Sequence, residues 1–493
     1  MVKKGINLKS IFKSPFRVFA SSKAKLQKKA INSSKEFTLS SIWNNRELRR
    51  KILFTLGLIL VFRILASIPL PGIDVSVYNQ VFGNNPASNF FTMVTGGRLD
   101  NPSVVAIGLG AYINASVILQ LLQTVIPKLE ELSKEGERGR RVINQYTRLL
   151  AIPLNIVQAI VVYAILKNAA TSQTSLAGLL ANVTTLDVVT MVVSLTAGSM
   201  VLMWLGELIT EKGIGNGTSM IIAIGILAGL PALVSKDFSY IIPDLQLLLK
   251  NGNFGVLVND NFILLYAVLI GLCIIVWSIV HITEATRKIA IQYANRVRST
   301  QSGNSSYLPL KINQAGVMPV IFASALLSFP QIFASLLIGI QDQNSFLYKV
   351  GNWLNNSPFG SNGAQGSGVI YYEMTYFVLI IVFAFFYTFV TFKPSETAEN
   401  LKKSAGFIPG IRPGKETEAH ITFILIRLTF VGSIFLAAIA LIPSVVRLFP
   451  QGATLNSVRM IGGTSVLIVV GTVIDTIRQM KSVSVSKSYD QFK

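Results

Sequence analysis

The stretch LKKSAGFIPGIRPGKETEA, residues 401–419, gathers the side chains of this chain best suited to polar chemistry. Pro409-Gly410 and Pro413-Gly414 bracket Ile411-Arg412. Proline presets φ at the second position of a turn and glycine accepts a left-handed third, so two turns should hold Arg412 in a fixed place. A guanidinium presented in this way suits a carboxylate or a phosphate on a partner. The competing reading is a connector whose arginine satisfies turn carbonyls or marks topology.

Chemistry elsewhere is sparse. One cysteine, Cys273, excludes a disulfide framework or a thiolate metal site within the chain. His281 and His420 stand far apart, and a histidine metal centre would need carboxylates that the apolar segments do not offer. GIGNGTS, residues 213–219, lacks the lysine of a phosphate-binding loop and the strand that precedes a dinucleotide site, so it reads as a tight cytoplasmic turn. Arg63, four residues before Ser67-Ile68-Pro69, is placed to snorkel outward, and Asp187 and Asp475 lie near segment ends. No run of buried carboxylates or histidines supplies a proton relay, and no nucleophile, base and orienting group fall together. The expectation is neither an enzyme nor a cofactor protein; a partner or a gradient must supply any energy.

Apolar pairs carry a second suggestion. Ile222 and Ile226 are one helical turn apart, as are Leu109 and Ile113. A ring of such residues would make a constriction that dewets and blocks ions. By spacing alone, packing or lipid contact is the commoner explanation.

The elements that must position these groups are membrane helices. The chain has 493 residues, 51% of them apolar and 14% charged, and its mean hydropathy is +0.54. Apolar runs long enough to cross a hydrocarbon core of about 30 Å recur at 52–69, 103–126, 148–167, 186–206, 217–234, 262–282, 315–337, 375–392, 421–443 and 460–478. The predicted fold is all-α, a polytopic protein of about ten transmembrane helices. Of 44 Lys and Arg, 35 fall in the N-terminal arm, alternate loops and the tail, against seven in the opposite loops. By the positive-inside rule, both termini and the 401–419 finger are cytoplasmic.

Residues 1–51 form an arm with 14 basic and two acidic residues. An amphipathic helix on anionic lipid and a solvated tail both fit it, with an organelle transit peptide as a lesser alternative. Residues 86–99, too short to cross, read as a re-entrant segment or a loop on the outer side. The second and seventh spans open alike, AIGLGAYINAS and NQAGVMPVIFAS, which suggests two repeats of five spans.

FRILASIPLPGID, IPKLEELSKEGERGRRVINQYTR, WLGELITEKGIGNGTS, LPLKINQAGVMPVIFAS, ENLKKSAGFIPGIRPGKETEA and GGTSVLIVVGTVIDTIRQ follow one another along residues 50–493. In this order, and in these loops and spans, they resemble the SecY family, the channel subunits of the bacterial Sec protein translocase. The resemblance implies two pseudo-symmetric halves, 52–234 and 262–478, joined by an outer connection at 235–261. It implies cytoplasmic fingers at 284–314 and 393–420 and a tail at 479–493. Such channels conduct unfolded, signal-bearing chains across the membrane and release transmembrane segments sideways into lipid. The family's pore ring falls on Leu109, Ile113, Ile222, Ile226, Ile321 and Ile468. Its plug falls on 86–99, with Asn89, Phe90, Phe91, Met93, Gly96, Gly97 and Arg98. Its lateral-gate polar contacts map to Gln120, Thr147 and Asn313. Docking of the motor ATPase SecA or of ribosomal RNA falls on Arg412, Pro413, Gly414 and Lys415, with Arg296 and Arg298 on the other finger. SecE and SecG are the implied companions, the cell membrane is the implied location, and no cofactor is implied.

The chain departs from the family pattern at Ala111, where proline is usual, which should straighten the entrance to the second span. It also departs in its long arm, in Arg98, and in a finger shortened around SSYLPLK. A small-solute transporter is disfavoured by the lack of a mid-membrane carboxylate. A scaffold that never opens a pore and an accessory family member remain open.

Overall fold

The computed structural model describes residues 46–71, 103–172, 184–229, 231, 260–293, 306–338, 345–356, 369–447 and 463–490. Each of the ten predicted segments contains helix among its described residues. The first half contributes α1 (Arg46–Ser67), α2 (Gly110–Val125), the short α3 (Pro127–Lys134), α4 (Glu137–Ser172), α5 (Thr185–Lys212) and α6 (Gly217–Gly229). The second contributes α7 (Asp260–Glu284), α8 (Met318–Ile338), α9 (Phe346–Asn356), α10 (Val369–Thr391), α11 (Pro394–Lys403), α12 (Lys415–Arg447) and α13 (Gly463–Asp490). Among the described residues, four helices are long and apolar enough to cross a membrane, or five if the bent pair α2 and α3 counts as one span.

Local chemistry sets the helix ends. Pro127 disfavours helical backbone at the residue before it. Ile126 is accordingly extended, at φ −99° and ψ 112°, and the chain turns by 103° from α2 into α3. At the start of α5, the Asp187 amide donates to Thr184 Oγ1 at 3.4 Å and the Thr184 amide donates to Asp187 Oδ2 at 2.9 Å. This capping box explains an acidic residue at the edge of an apolar run. Asn216 does the same for α6, its Oδ1 accepting from the amides of Thr218 and Ser219.

The GIGNG segment is the tight turn its glycines predict, and it is anchored from both sides. The Ile214 amide donates to Thr55 Oγ1 of α1 at 3.1 Å, and the Gly215 amide donates to Gln479 Oε1 of α13. A Cβ on Gly217 would lie 1.9 Å from the Gly206 carbonyl oxygen, so α5 and α6 approach too closely for any side chain there.

The two predicted fingers, expected as loops, form one three-stranded sheet in a fold that is mostly helical among the described residues. It is built from β1 (Thr286–Tyr293), β2 (Ser306–Lys311) and β3 (Gly406–Phe407), in the order β2-β1-β3. β1 pairs antiparallel with β2 from Thr286↔Lys311 to Ile291↔Ser306, and with β3 through Gln292↔Phe407 and Tyr293↔Gly406. Ile289 and Ile291 point inward from β1 and join Leu310, Leu401, Ile408 and Ile421 in a small core. The sheet therefore joins both fingers and the start of α12 into one body.

Candidate functional site

The six residues of the expected ring lie on or beside four helices: Leu109 and Ile113 at α2, Ile222 and Ile226 on α6, Ile321 on α8 and Ile468 on α13. All six are buried and belong to one apolar cluster, with Val317, Phe322 and Leu467 among their neighbours. Their aliphatic side chains offer no donor, acceptor or charge to a hydrated ion.

Two glycines set how the ring helices begin. Gly108 has φ +65° and Gly316 has φ +66°. Helix α2 starts two residues after the first and α8 two residues after the second, which puts Ile113 and Ile321 at equal distances from their glycines. The residues from 104 to 109 are turns, with the Gly108 amide donating to the Val105 carbonyl at 2.9 Å. The bend at this entrance lies three residues upstream of Ala111, at the left-handed Gly108. From α5, Ser199 Oγ donates to the Gly108 carbonyl at 2.7 Å, and a Cβ on Gly198 would stand 2.2 Å from the Val104 carbonyl oxygen. Neither Gly108, Gly316 nor this backing from α5 was singled out from the sequence, although the small residues at both entrances were the available signal.

The three expected gate residues bond within their own segments. Gln120 Nε2 donates to Ser116 Oγ at 3.1 Å, Thr147 Oγ1 to the Ile143 carbonyl at 2.9 Å, and Asn313 Nδ2 to the Gly316 carbonyl at 3.1 Å. Among the described residues, these three side chains make no polar contact across the seam. Thr147 and Asn313 are buried all the same. A stronger polar link that spacing did not reveal joins α4 to α5, where Arg148 meets Glu207 through both carboxylate oxygens.

The 401–419 finger has the expected turns. The Ile411 amide donates to the Ile408 carbonyl at 3.1 Å around Pro409 and Gly410, whose φ is +83°. That is a type II turn. In the second, Gly414 has φ +115°, and Thr417 Oγ1 donates to the Arg412 carbonyl at 2.9 Å. The backbone of Arg412 is thus held from both sides while its side chain is exposed, as are Pro413 and Lys415. Its guanidinium makes no hydrogen bond or ion pair among the described residues, so turn carbonyls do not occupy it. Arg296, Arg298, the 86–99 segment with Asn89 to Arg98, and arm residues 1–45 lie outside the described residues.

The SecY family model matches residues 103–477. The chain belongs to the SecY family. The protein translocase subunit SecY of Halalkalibacterium halodurans is 41% identical over 460 residues, covering 92% of this chain and 99% of that protein. The SecY subunit of Mycobacterium bovis is 38% identical over 454 residues, covering 90% and 97%. Among solved structures, one titled as a protein conducting channel superposes with a TM-score of 0.60 at 20% identity, covering 88% of this chain and 93% of that one. Sec61 in the canine ribosome-channel complex superposes at 0.58 with 20% identity, again covering 88% and 93%. The superpositions establish a SecY-family fold, and the sequence matches establish membership.

Proposed function

We propose that this chain is the pore-forming subunit of a Sec protein translocase, conducting unfolded signal-bearing polypeptides across the membrane and releasing transmembrane segments into lipid. The observation that carries this reading is the burial of all six aliphatic side chains, carried by four helices, within one apolar core cluster, in a chain of the SecY family. An apolar constriction grips a passing chain of any sequence without binding it, and it gives ions no favourable site. In this reading the plug occupies 86–99. Gln120, Thr147 and Asn313 sit on the seam that opens sideways. Their purely local hydrogen bonds leave little polar attraction across that seam, which suits a gate biased by an arriving signal sequence.

Arg412, with Pro413, Gly414 and Lys415, is the docking tip for SecA or for a translating ribosome, and Arg296 and Arg298 extend it on the other finger. The free guanidinium on a doubly pinned backbone supports this role. SecE and SecG complete the complex in the cell membrane, with both termini cytoplasmic and the basic arm near anionic lipid.

The test is transport of a signal-bearing preprotein into vesicles that hold this chain with SecE and SecG, driven by SecA and ATP. Wild type transports, and Arg412→Glu inserts normally but stalls. A wild-type complex that neither transports nor binds translating ribosomes would overturn the reading.

A further inference from the structure

Helix α9 is too short to cross a membrane and lies at the end of the molecule opposite the finger sheet. Helix α8 leaves the sheet through Lys311 and runs away from it, and α10 returns to Lys393 and α11. Between them, α9 packs against α8. Phe346 and Trp353 are seven residues apart, about 20° around the helix axis, and so share one face. That face is uncovered: Phe346 is 77% and Trp353 70% exposed. Lys349 is exposed on its flank. Next along the same end of the molecule, Tyr371 and Met374 are exposed near the start of α10, and Val378 continues the apolar strip along that helix.

We propose that α9 is an interfacial helix whose Phe346–Trp353 face rests in the outer phospholipid leaflet. Aromatic rings gather where headgroups meet acyl chains, and a flanking lysine can reach a headgroup phosphate. Both α9 and α10 pack on α8, and the exposed apolar strip of α10 begins at that same end of an apolar helix long enough to cross a membrane, which favours lipid over a protein partner as the occupant of the α9 face. Because α9 packs on the helix that carries Ile321, the outer leaflet is coupled to a helix of the ring through α9.

The experiment leaves Trp353 as the single tryptophan of the complex, with Trp43, Trp204 and Trp277 replaced by phenylalanine and any in the partner subunits likewise. Vesicles are made from phospholipid brominated high on the acyl chain. Loss of most Trp353 emission in the brominated vesicles, with protection from aqueous iodide, is the expected result. Iodide quenching without lipid quenching places the face in water and overturns the proposal. Shielding from both quenchers means that a second copy or another protein covers the face, and also overturns it. A spin label at Phe346→Cys, in a Cys273→Ser background, gives a second readout should the tryptophan variants misfold. It should be more accessible to oxygen than to a water-soluble nickel complex.

Discussion

Gly108 and Gly316 occupy the same place in two separate parts of the chain: each has a left-handed backbone, each stands two residues ahead of a helix, and each stands five residues ahead of a ring isoleucine. The pair supports the reading of two internal repeats, because an ancestral bend would persist wherever it sets the angle of a pore helix.

Alanine at either glycine should therefore be destabilising. A left-handed residue with a Cβ costs about 1–2 kcal/mol. No atom would lie within 4 Å of a Cβ at Gly316, so its penalty is conformational rather than steric. Gly316→Ala should lower the midpoint of thermal unfolding in detergent and raise resting ion conductance in a planar bilayer. Unchanged stability would show that the bend is not enforced.

The backing from α5 can be tested in two grades. Ser199→Ala removes one buried hydrogen bond to the Gly108 carbonyl and should cost about 1 kcal/mol. Gly198→Ala forces its Cβ onto the Val104 carbonyl, so backbone must move, and about 1–3 kcal/mol is expected. Denaturant unfolding of both variants should rank the glycine change as the more harmful.

Ile222→Asn places an amide in the dry cluster. An amide there offers hydrogen bonds to water and lowers the barrier to wetting. Conductance without any preprotein should rise, while Ile222→Leu should leave the channel tight. A silent asparagine variant would separate the cluster from the permeation path.

The Arg148–Glu207 pair should couple α4 to α5. Glu207 is the more buried partner, with its side chain 17% exposed, and both of its oxygens face the guanidinium. A double-mutant cycle with Arg148→Ala and Glu207→Ala should give a coupling of about 1 kcal/mol, falling as salt is raised. No coupling would mark the pair as incidental.

Ala405 carries the only left-handed backbone at a non-glycine residue among the described residues, at φ +51°. It follows α11 and leads into β3. Ala405→Gly should remove strain and stabilise the finger by about 1 kcal/mol, read as slower amide exchange in β1 and β3. Exchange that is unchanged or faster would refute this.

Much of this protein was legible in its sequence. Helix existence follows from long apolar runs, because the membrane leaves backbone polar groups no partner but one another. The Arg412 turns were legible too, since Pro-Gly pairs determine turn geometry within four residues. The ring residues came from the family motifs, not from their spacing. What only tertiary structure decided were pairings between distant segments. TRKIAIQY alternates apolar and polar side chains around Ile289 and Ile291, yet a strand so short shows nothing of a partner over a hundred residues away at Gly406-Phe407. The gate residues were expected to bond across helices, but each found a nearer acceptor in its own segment, because a local hydrogen bond needs no second helix to be ordered. The close approaches at Gly198 and Gly217 follow the same logic: the sequence contains the missing side chain, and only packing supplies the carbonyl that would have met it.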